Sequence, residues 1–289
     1  MKILILGSNG FLGQNFFKFL NCKKYEVIEL NRKDCDFLNK DKLFKLIKII
    51  NPLYIINCAG YTGKPNVDAC EINKEACWQG NITLVKHLSD ICYTLNTRYI
   101  QVGSGCIYTG KKNKNGFTEE NEPNFSFDHQ PCSYYSGTKA VMEDILKCDH
   151  NAYICRLRIP FNNIAHPKNY ITKLINYNRL LDAENSLSNI DDFLNACLYL
   201  LENATDTGIY NITNTGSITT REVTKLISKY IVNKKFDFFK NEEEFYSIAA
   251  KTQRSNCVLD NSKLIKTGFK INPIQESMLK SIKNYTTAK

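Results

Sequence analysis

The chain opens with an unbroken apolar run, Ile3–Leu6, that stops at Gly7. A run that is apolar at every position suits a strand covered on both faces, as in a parallel sheet. Apolar residues at helical spacing follow over Phe11–Leu20. The alternation then repeats: strand Tyr25–Leu30, helix Asp41–Ile50 closed by Asn51-Pro52, strand Leu53–Asn57, a long helix Glu75–Leu95, strand Arg98–Val102, helix Ser133–Leu146 and strand Ala152–Leu157. This rhythm predicts an α/β fold, a Rossmann-type doubly wound parallel sheet with helices on both faces. Past Arg158 the rhythm breaks. Helices are predicted at Asn169–Tyr177, near Asp191–Leu201 and at Thr220–Ile231, with a strand at Gly208–Ile212. We read residues 1–158 as the sheet domain and 159–289 as a smaller C-terminal lobe that closes over the sheet's carboxyl edge. The boundary is soft and the segments can interleave.

Composition narrows the classes. At 289 residues, 43% hydrophobic and 23% charged, the chain is neither disordered nor a coiled coil. Its net charge of +9 comes mainly from scattered lysines, which fit nucleotide bias in the genome or an acidic small ligand. Nucleic acid is not expected as a partner, because the one dense basic run, Lys111-Lys112-Asn113-Lys114, has no aromatic interleaving. Twelve cysteines form no CxxC pair, so free thiols in a reducing cytoplasm are expected, and no metal. There is no apolar run of about 18 residues, so no membrane span is expected. The first apolar stretch is too short for a signal-peptide core.

The first strand leads into Gly7-Ser8-Asn9-Gly10-Phe11-Leu12-Gly13. At this spacing Gly7 permits a tight turn, Gly10 lets the backbone approach a pyrophosphate, and Gly13 lets the helix sit close to the strand. The helix N-terminus then offers free N–H groups to the anion. A glycine motif between strand and helix predicts dinucleotide binding. The second strand ends Glu29-Leu30-Asn31-Arg32. Asn31 and Arg32 sit at its edge, and Arg32 is suited to a ribose 2′-phosphate, so NADP(H) is expected, with NAD(H) as the alternative. Asp36 is placed beside the adenine.

Tyr135-Ser136-Gly137-Thr138-Lys139 puts a phenol and an ammonium on one helical face. A phenol with a pKa near 10 is a poor acid or base at neutral pH, and a nearby lysine is expected to lower it. Ser104, after the fourth strand, can orient a substrate carbonyl. Together these predict hydride transfer between a nicotinamide and a carbonyl or alcohol, with Tyr135 supplying the proton.

The GxxGxxG spacing resembles the extended short-chain dehydrogenase/reductases. Longer strings are more specific: Gly60–Asp68 with Cys70-Glu71, Ser104–Tyr108, Gly116–Glu120, Pro167–Lys173, Asn185–Leu187, Gly208–Thr213 and Arg254–Asn256. In order, and over nearly the whole chain, they resemble the plant-type bifunctional UDP-4-keto-6-deoxy-glucose 3,5-epimerase/4-reductases that complete UDP-L-rhamnose synthesis. Those are related to dTDP-4-dehydrorhamnose reductases. The Lys, Asn and Ile bias resembles an AT-rich, giant-virus version of the family, which would work in host cytoplasm.

The resemblance implies an epimerising acid–base pair at Cys106 and Lys173, with Ser104, Tyr135 and Lys139 for reduction. A thiol has a pKa near 8.5 that a nearby cation lowers toward neutrality, and a lysine in a dry pocket is lowered too. The resemblance also places Cys58, Ala59 and Gly60 beneath the cofactor and Ile159-Pro160 at the nicotinamide. It implies a UDP-sugar substrate held by Thr62, Gly63, Asn66, Asn169, Arg254 and Asn256, with Arg254 on the diphosphate. A homodimer is expected, since helices bearing YxxxK often pair. The chain departs from the family at Ala69, where a tryptophan is usual, and in the more basic loop Lys111–Gly116. Two other readings stay open: a reductase without epimerase activity, and a non-catalytic NADP-binding subunit.

Overall fold

The computed structural model describes residues 1–203 and 205–286. Among them, β1 (Lys2–Leu6), α1 (Phe11–Asn21), β2 (Glu26–Leu30), α2 (Lys40–Ile50) and β3 (Tyr54–Asn57) follow in turn. Two short helices, α3 (Asp68–Ile72) and α4 (Lys74–Trp78), precede α5 (Leu84–Leu95). Then come β4 (Arg98–Ser104), α6 (Tyr134–Leu146) and β5 (Ala152–Leu157). A six-stranded parallel sheet runs in the order Gly208–Asn211, β5, β4, β3, β1, β2. The order reverses between β1 and β3, which opens a crevice at their carboxyl ends.

The continuous apolar runs are explained by burial on both sides. Ile3 and Ile5 of β1 pack with Phe16 and Leu20 of α1, whereas Leu4 and Leu6 pack with Leu43 of α2, Leu88 of α5 and Met142 of α6. Successive side chains of a strand point to opposite faces, so both faces need apolar residues.

Residues 159–189 leave the sheet and carry α7 (Tyr170–Asn176). The chain then returns. α8 (Ile190–Glu202) buries Phe193, Leu194 and Cys197 against Ile3, Ile5 and Phe16, and Gly208–Asn211 pairs with β5. A cut at 158 would assign these two elements to the smaller lobe, yet they complete the sheet layer. The lobe has its own core, in which Phe161, Ile171 and Leu174 meet Val223, Ile227 and Met278.

The single helix expected over Glu75–Leu95 is instead α4 and α5 joined by one π turn, Gln79–Thr83. That turn aims the buried Asn81 side chain sideways. Its Oδ1 accepts from Tyr61 N–H at 2.8 Å, and its amide donates to the Tyr61 carbonyl at 2.9 Å and to Thr138 Oγ1 at 3.1 Å. Such π turns concentrate at functional sites. All twelve cysteines are unpaired. Among the described residues, no helix is long and apolar enough to cross a membrane.

Candidate active site

The site is built outward from the end of β1. Gly7 turns the chain at φ +75°, and a Cβ there would lie 2.8 Å from the Ala59 Cα. A Cβ on Gly13 would lie 2.3 Å from the Gly7 carbonyl oxygen. Backbone occupies both spaces, so only glycine fits. α1 starts with no side-chain cap, which leaves its first N–H groups free for an anion. This loop can hold a dinucleotide pyrophosphate.

Ser8 is buried, and Asn31 fixes the loop from β2: its amide donates to Ser8 Oγ at 2.8 Å and its Oδ1 accepts from Asn9 N–H at 2.9 Å. Asn31 therefore shapes the phosphate loop. Arg32 and Asp36 are exposed beyond β2. The Arg32 guanidinium lies beside Gly80, with Nη2 3.5 Å from where a Cβ would stand. Cys58 and Ala59 continue β3, with the Cys58 N–H on the Leu6 carbonyl at 3.0 Å, and Gly60 follows exposed. Phe11, at the start of α1, stacks on His166 of the lobe with centroids 4.2 Å apart. The next residue, Leu12, is half-buried.

The second part is α6. Ser133 caps it by accepting from Ser136 N–H at 3.1 Å. Lys139, one turn past Tyr135, is buried and donates to the Val102 carbonyl at 3.2 Å. Ser104 ends β4, and its Oγ accepts from Cys106 N–H at 3.2 Å. Cys106, 8% exposed, shares one small apolar cluster with Tyr135, Ile107, Tyr108 and Leu259. The structure thus brings Ser104, Cys106, Tyr135 and Lys139 together.

The electrostatics correct two expectations. The Tyr135 phenol is pushed well above its ordinary value of 10, chiefly by burial and next by the facing Cys106; Ser104 pulls it down. The Cys106 thiol is also raised, because burial outweighs the pull of Ser104, Ser136, Arg158 and Lys139. Lys139 is lowered by burial. In this apolar cluster the cost of a charge exceeds the help of neighbouring cations.

The third part comes from the lobe. Lys173 of α7 is lowered by burial and then by its neighbours Lys168 and Arg254. Lys168 donates to Thr62 Oγ1 at 3.4 Å, which ties α7's approach to the loop after β3. In that loop Gly63 holds φ +72° against the Asn66 carbonyl, and Asn66 Oδ1 accepts from Asp68 N–H at 2.8 Å. Arg254 donates through Nη2 to Asp68 Oδ2 at 2.8 Å, with Nη1 equally close to Oδ1, so a carboxylate already occupies its fork. Asn256 Oδ1 accepts from the Asn185 amide at 3.1 Å. Asn169 is fully buried as the cap of α7: its Oδ1 accepts from Ile171 N–H, and its amide donates to the Asn162 and Ile164 carbonyls at 2.9 and 2.7 Å. Both ends of its amide are thus committed to holding the turn. Among the described residues, Cys106 and Lys173 share no hydrogen bond; Lys173 feels the charge of Arg254, and Arg158, which acts on Cys106, donates to the carbonyl of the next residue, Ser255.

Ile159 follows β5 in the left-handed region at φ +37°, which is strained for a β-branched residue, and Pro160 begins a short strand beside Ser188–Asn189. Sequence reasoning missed two polar residues here. Asn81 and Arg158 both reach the site from buried positions. The detectable signal for Arg158 was its place two residues after Arg156, on the same side of an otherwise apolar run.

Comparison with known proteins agrees with this geometry. A plant relative, the trifunctional UDP-glucose 4,6-dehydratase/UDP-4-keto-6-deoxy-D-glucose 3,5-epimerase/UDP-4-keto-L-rhamnose-reductase of Arabidopsis thaliana, is 33% identical over 98% of this chain. The chain spans only 42% of that relative's length. A bifunctional dTDP-4-dehydrorhamnose 3,5-epimerase/dTDP-4-dehydrorhamnose reductase of the same plant is 35% identical over 82% of this chain and 78% of its own. The crystal structure of a UDP-rhamnose synthase from Acanthamoeba polyphaga mimivirus superposes with a TM-score of 0.90 at 25% identity, covering 98% of this chain and 99% of that one. A dTDP-4-dehydrorhamnose reductase from Bacillus anthracis in complex with NADP shares the fold, with a TM-score of 0.82 at 22% identity over 97% of this chain and 98% of its own. Residues 1–287 match the family described as the RmlD substrate binding domain, and the chain belongs to that family.

Proposed function

We propose that this chain is an NADPH-dependent 3,5-epimerase/4-reductase that converts UDP-4-keto-6-deoxy-glucose to UDP-L-rhamnose. The observation that carries the reading is the pairing of Cys106 with Tyr135 in one apolar cluster, with Ser104 bonded to the Cys106 backbone. A phenol suits proton delivery to the carbon 4 oxygen, and a thiol suits proton exchange at the flanking carbons. The relatives named above support the same substrate class.

The keto group at carbon 4 makes the hydrogens on carbons 3 and 5 acidic. Cys106 and Lys173 serve as acid and base on opposite faces of the ring. NADPH, when bound at the Gly7–Gly13 loop, supplies the hydride to carbon 4. Tyr135 gives its proton to the new alkoxide, Ser104 orients the oxygen, and Lys139 sits one turn behind the phenol. Arg254 exchanges Asp68 for the substrate diphosphate. Arg32 meets the 2′-phosphate.

Incubation with UDP-4-keto-6-deoxy-glucose and NADPH in deuterated water tests this. The expected product is UDP-L-rhamnose labelled at carbons 3 and 5, and Cys106→Ala loses the label while still reducing an already epimerised sugar. Equal loss of both activities would make Cys106 structural. A second reading, reduction alone, draws support from the raised Cys106 thiol; an unlabelled product would favour it. The chain is also expected to pair as a homodimer through α6, whose Ile145 is exposed near its end; sedimentation would test that.

A further inference from the structure

Arg156 and Arg158 stand two residues apart on one buried stretch, yet their surroundings differ. Arg156 meets a carboxylate, Glu143, at 2.7 Å. Arg158, only 5% exposed, meets none within 4.0 Å among the described residues. Its Nη2 donates to two neutral acceptors, Asn185 Oδ1 at 2.6 Å and the Ser255 carbonyl at 2.5 Å. Its Nε is buried with no partner. Its Cδ lies 3.3 Å from where a Cβ on Gly105 would stand, so the side chain packs against the residue before Cys106. A buried guanidinium without a counterion is costly, and it is retained where a negative charge is to appear.

Three neighbouring groups can become negative: Tyr170, Cys257 and Cys106. Tyr170 is pushed up to about 12 by burial and shares a hydrogen bond with Thr220 Oγ1 at 3.1 Å. The Cys257 thiol donates to the Gly105 carbonyl at 3.3 Å, which keeps its proton in use. Cys106 is favoured as an anion by Ser104, Ser136 and Lys139, and Cys257 by Ser255 and Arg156, but the Cys257 proton is committed to the Gly105 carbonyl. The remaining titratable groups facing it are Tyr135 on the same helix as Ser136 and Lys139, Cys70 from α3 and Cys132 from the turn before α6.

We propose that Arg158 is a positioning residue that supplies the countercharge to a Cys106 thiolate. Its use in catalysis rests on the epimerase reading above. There the thiolate takes a proton from carbon 3 or 5: the C–H bond breaks, an S–H bond forms, and the electron pair moves into an enolate whose charge sits on the carbon 4 oxygen. An ammonium on the other face returns a proton to that carbon, and no electrons are gained or lost overall. Anchored by Asn185 and Ser255, Arg158 holds its charge beside Cys106 without forming a competing carboxylate pair.

The test is the pH profile of iodoacetamide alkylation at Cys106 in the full chain, read by peptide mass spectrometry so that the other thiols do not interfere. Arg158→Gln is expected to raise the midpoint by about one pH unit, a loss of about tenfold in rate near neutrality. Arg158→Lys, which keeps the charge, is expected to restore most of the rate. A midpoint unchanged in Arg158→Gln, or a lysine variant as slow as the glutamine one, would overturn the proposal. NADPH binding reports whether each variant folds. Should Arg158→Gln fail that check, Asn185→Ala replaces it, since it removes one anchor of the guanidinium; it should slow alkylation about threefold, and no slowing overturns the assignment. The readout needs no sugar, so a wild-type protein that exchanges no deuterium would sink the epimerase reading while leaving the alkylation result to stand by itself.

Discussion

Arg156 binds Glu143 side-on: Nε lies 3.0 Å from Oε1 and 3.1 Å from Oε2, and Nη2 donates to Oε2 at 2.7 Å. Glu143 lies one turn past Lys139 on α6, so the pair fastens the helix bearing Tyr135 to β5. The guanidinium also donates to Asn211 Oδ1 at 3.2 Å, which brings in the last strand of the sheet. Removing one partner of a buried pair leaves an uncompensated charge and costs about 3–5 kcal/mol. Glu143→Ala should lose that much in urea unfolding. A loss below about 1 kcal/mol would mean that neutral acceptors suffice for Arg156.

Tyr135→Phe keeps the packing and removes the hydroxyl. Positioned proton transfer contributes roughly 10²–10⁴-fold, so reduction of the 4-keto sugar should fall by that range while NADPH binding is kept. Deuterium exchange into the sugar should persist, because it does not use the phenol. Loss of exchange as well would place Tyr135 in the epimerising step.

Lys173 is held below the ordinary lysine value by burial and by the charges of Lys168 and Arg254. Its ammonium form is therefore lost as pH rises through that lowered value, and the exchange rate, which needs that ammonium to return the proton, should fall on the same limb. Between the folded value and the unfolded 10.5 the unfolded chain binds more protons, so folding stability should instead rise with pH across that window. Lys173→Arg keeps a charge that cannot be released. It should lower exchange at least about hundredfold; exchange at near-native rate would remove Lys173 from the acid–base pair.

Arg32 is exposed beyond β2 and has no carboxylate partner within 4.0 Å among the described residues. A hydrogen bond to a charged group contributes about 1.5–3 kcal/mol, so Arg32→Ala should raise KM for NADPH by roughly tenfold to a hundredfold and leave KM for NADH little changed. Equal effects on both cofactors would place the 2′-phosphate elsewhere.

The sheet domain was legible because its signals are local. The central strand β1 is apolar on both faces, and Gly7 and Gly13 sit where backbone contacts forbid a side chain. What stayed hidden depends on distant partners. The π turn at Asn81 exists because its side chain reaches Tyr61 and Thr138, which helical periodicity does not register. Asn169 reads as an available amide until its capping bonds are seen. The raised Cys106 and Tyr135 follow from an enclosure completed by Leu259 and Cys257, far away in sequence. The return of Gly208–Asn211 to β5 likewise leaves no mark in either segment.

That return governs how the protein can be made. A ribosome releases β5 long before it reaches residue 211, and until then one margin of the growing sheet has open backbone donors and acceptors. A shortened gene ending at 158 should therefore yield insoluble protein, whereas one that runs through the final pairing segment and its following lobe should stay in solution. The sheet domain and the C-terminal lobe are in this sense one cooperative object, and recombining either with another protein's half would sever the sheet.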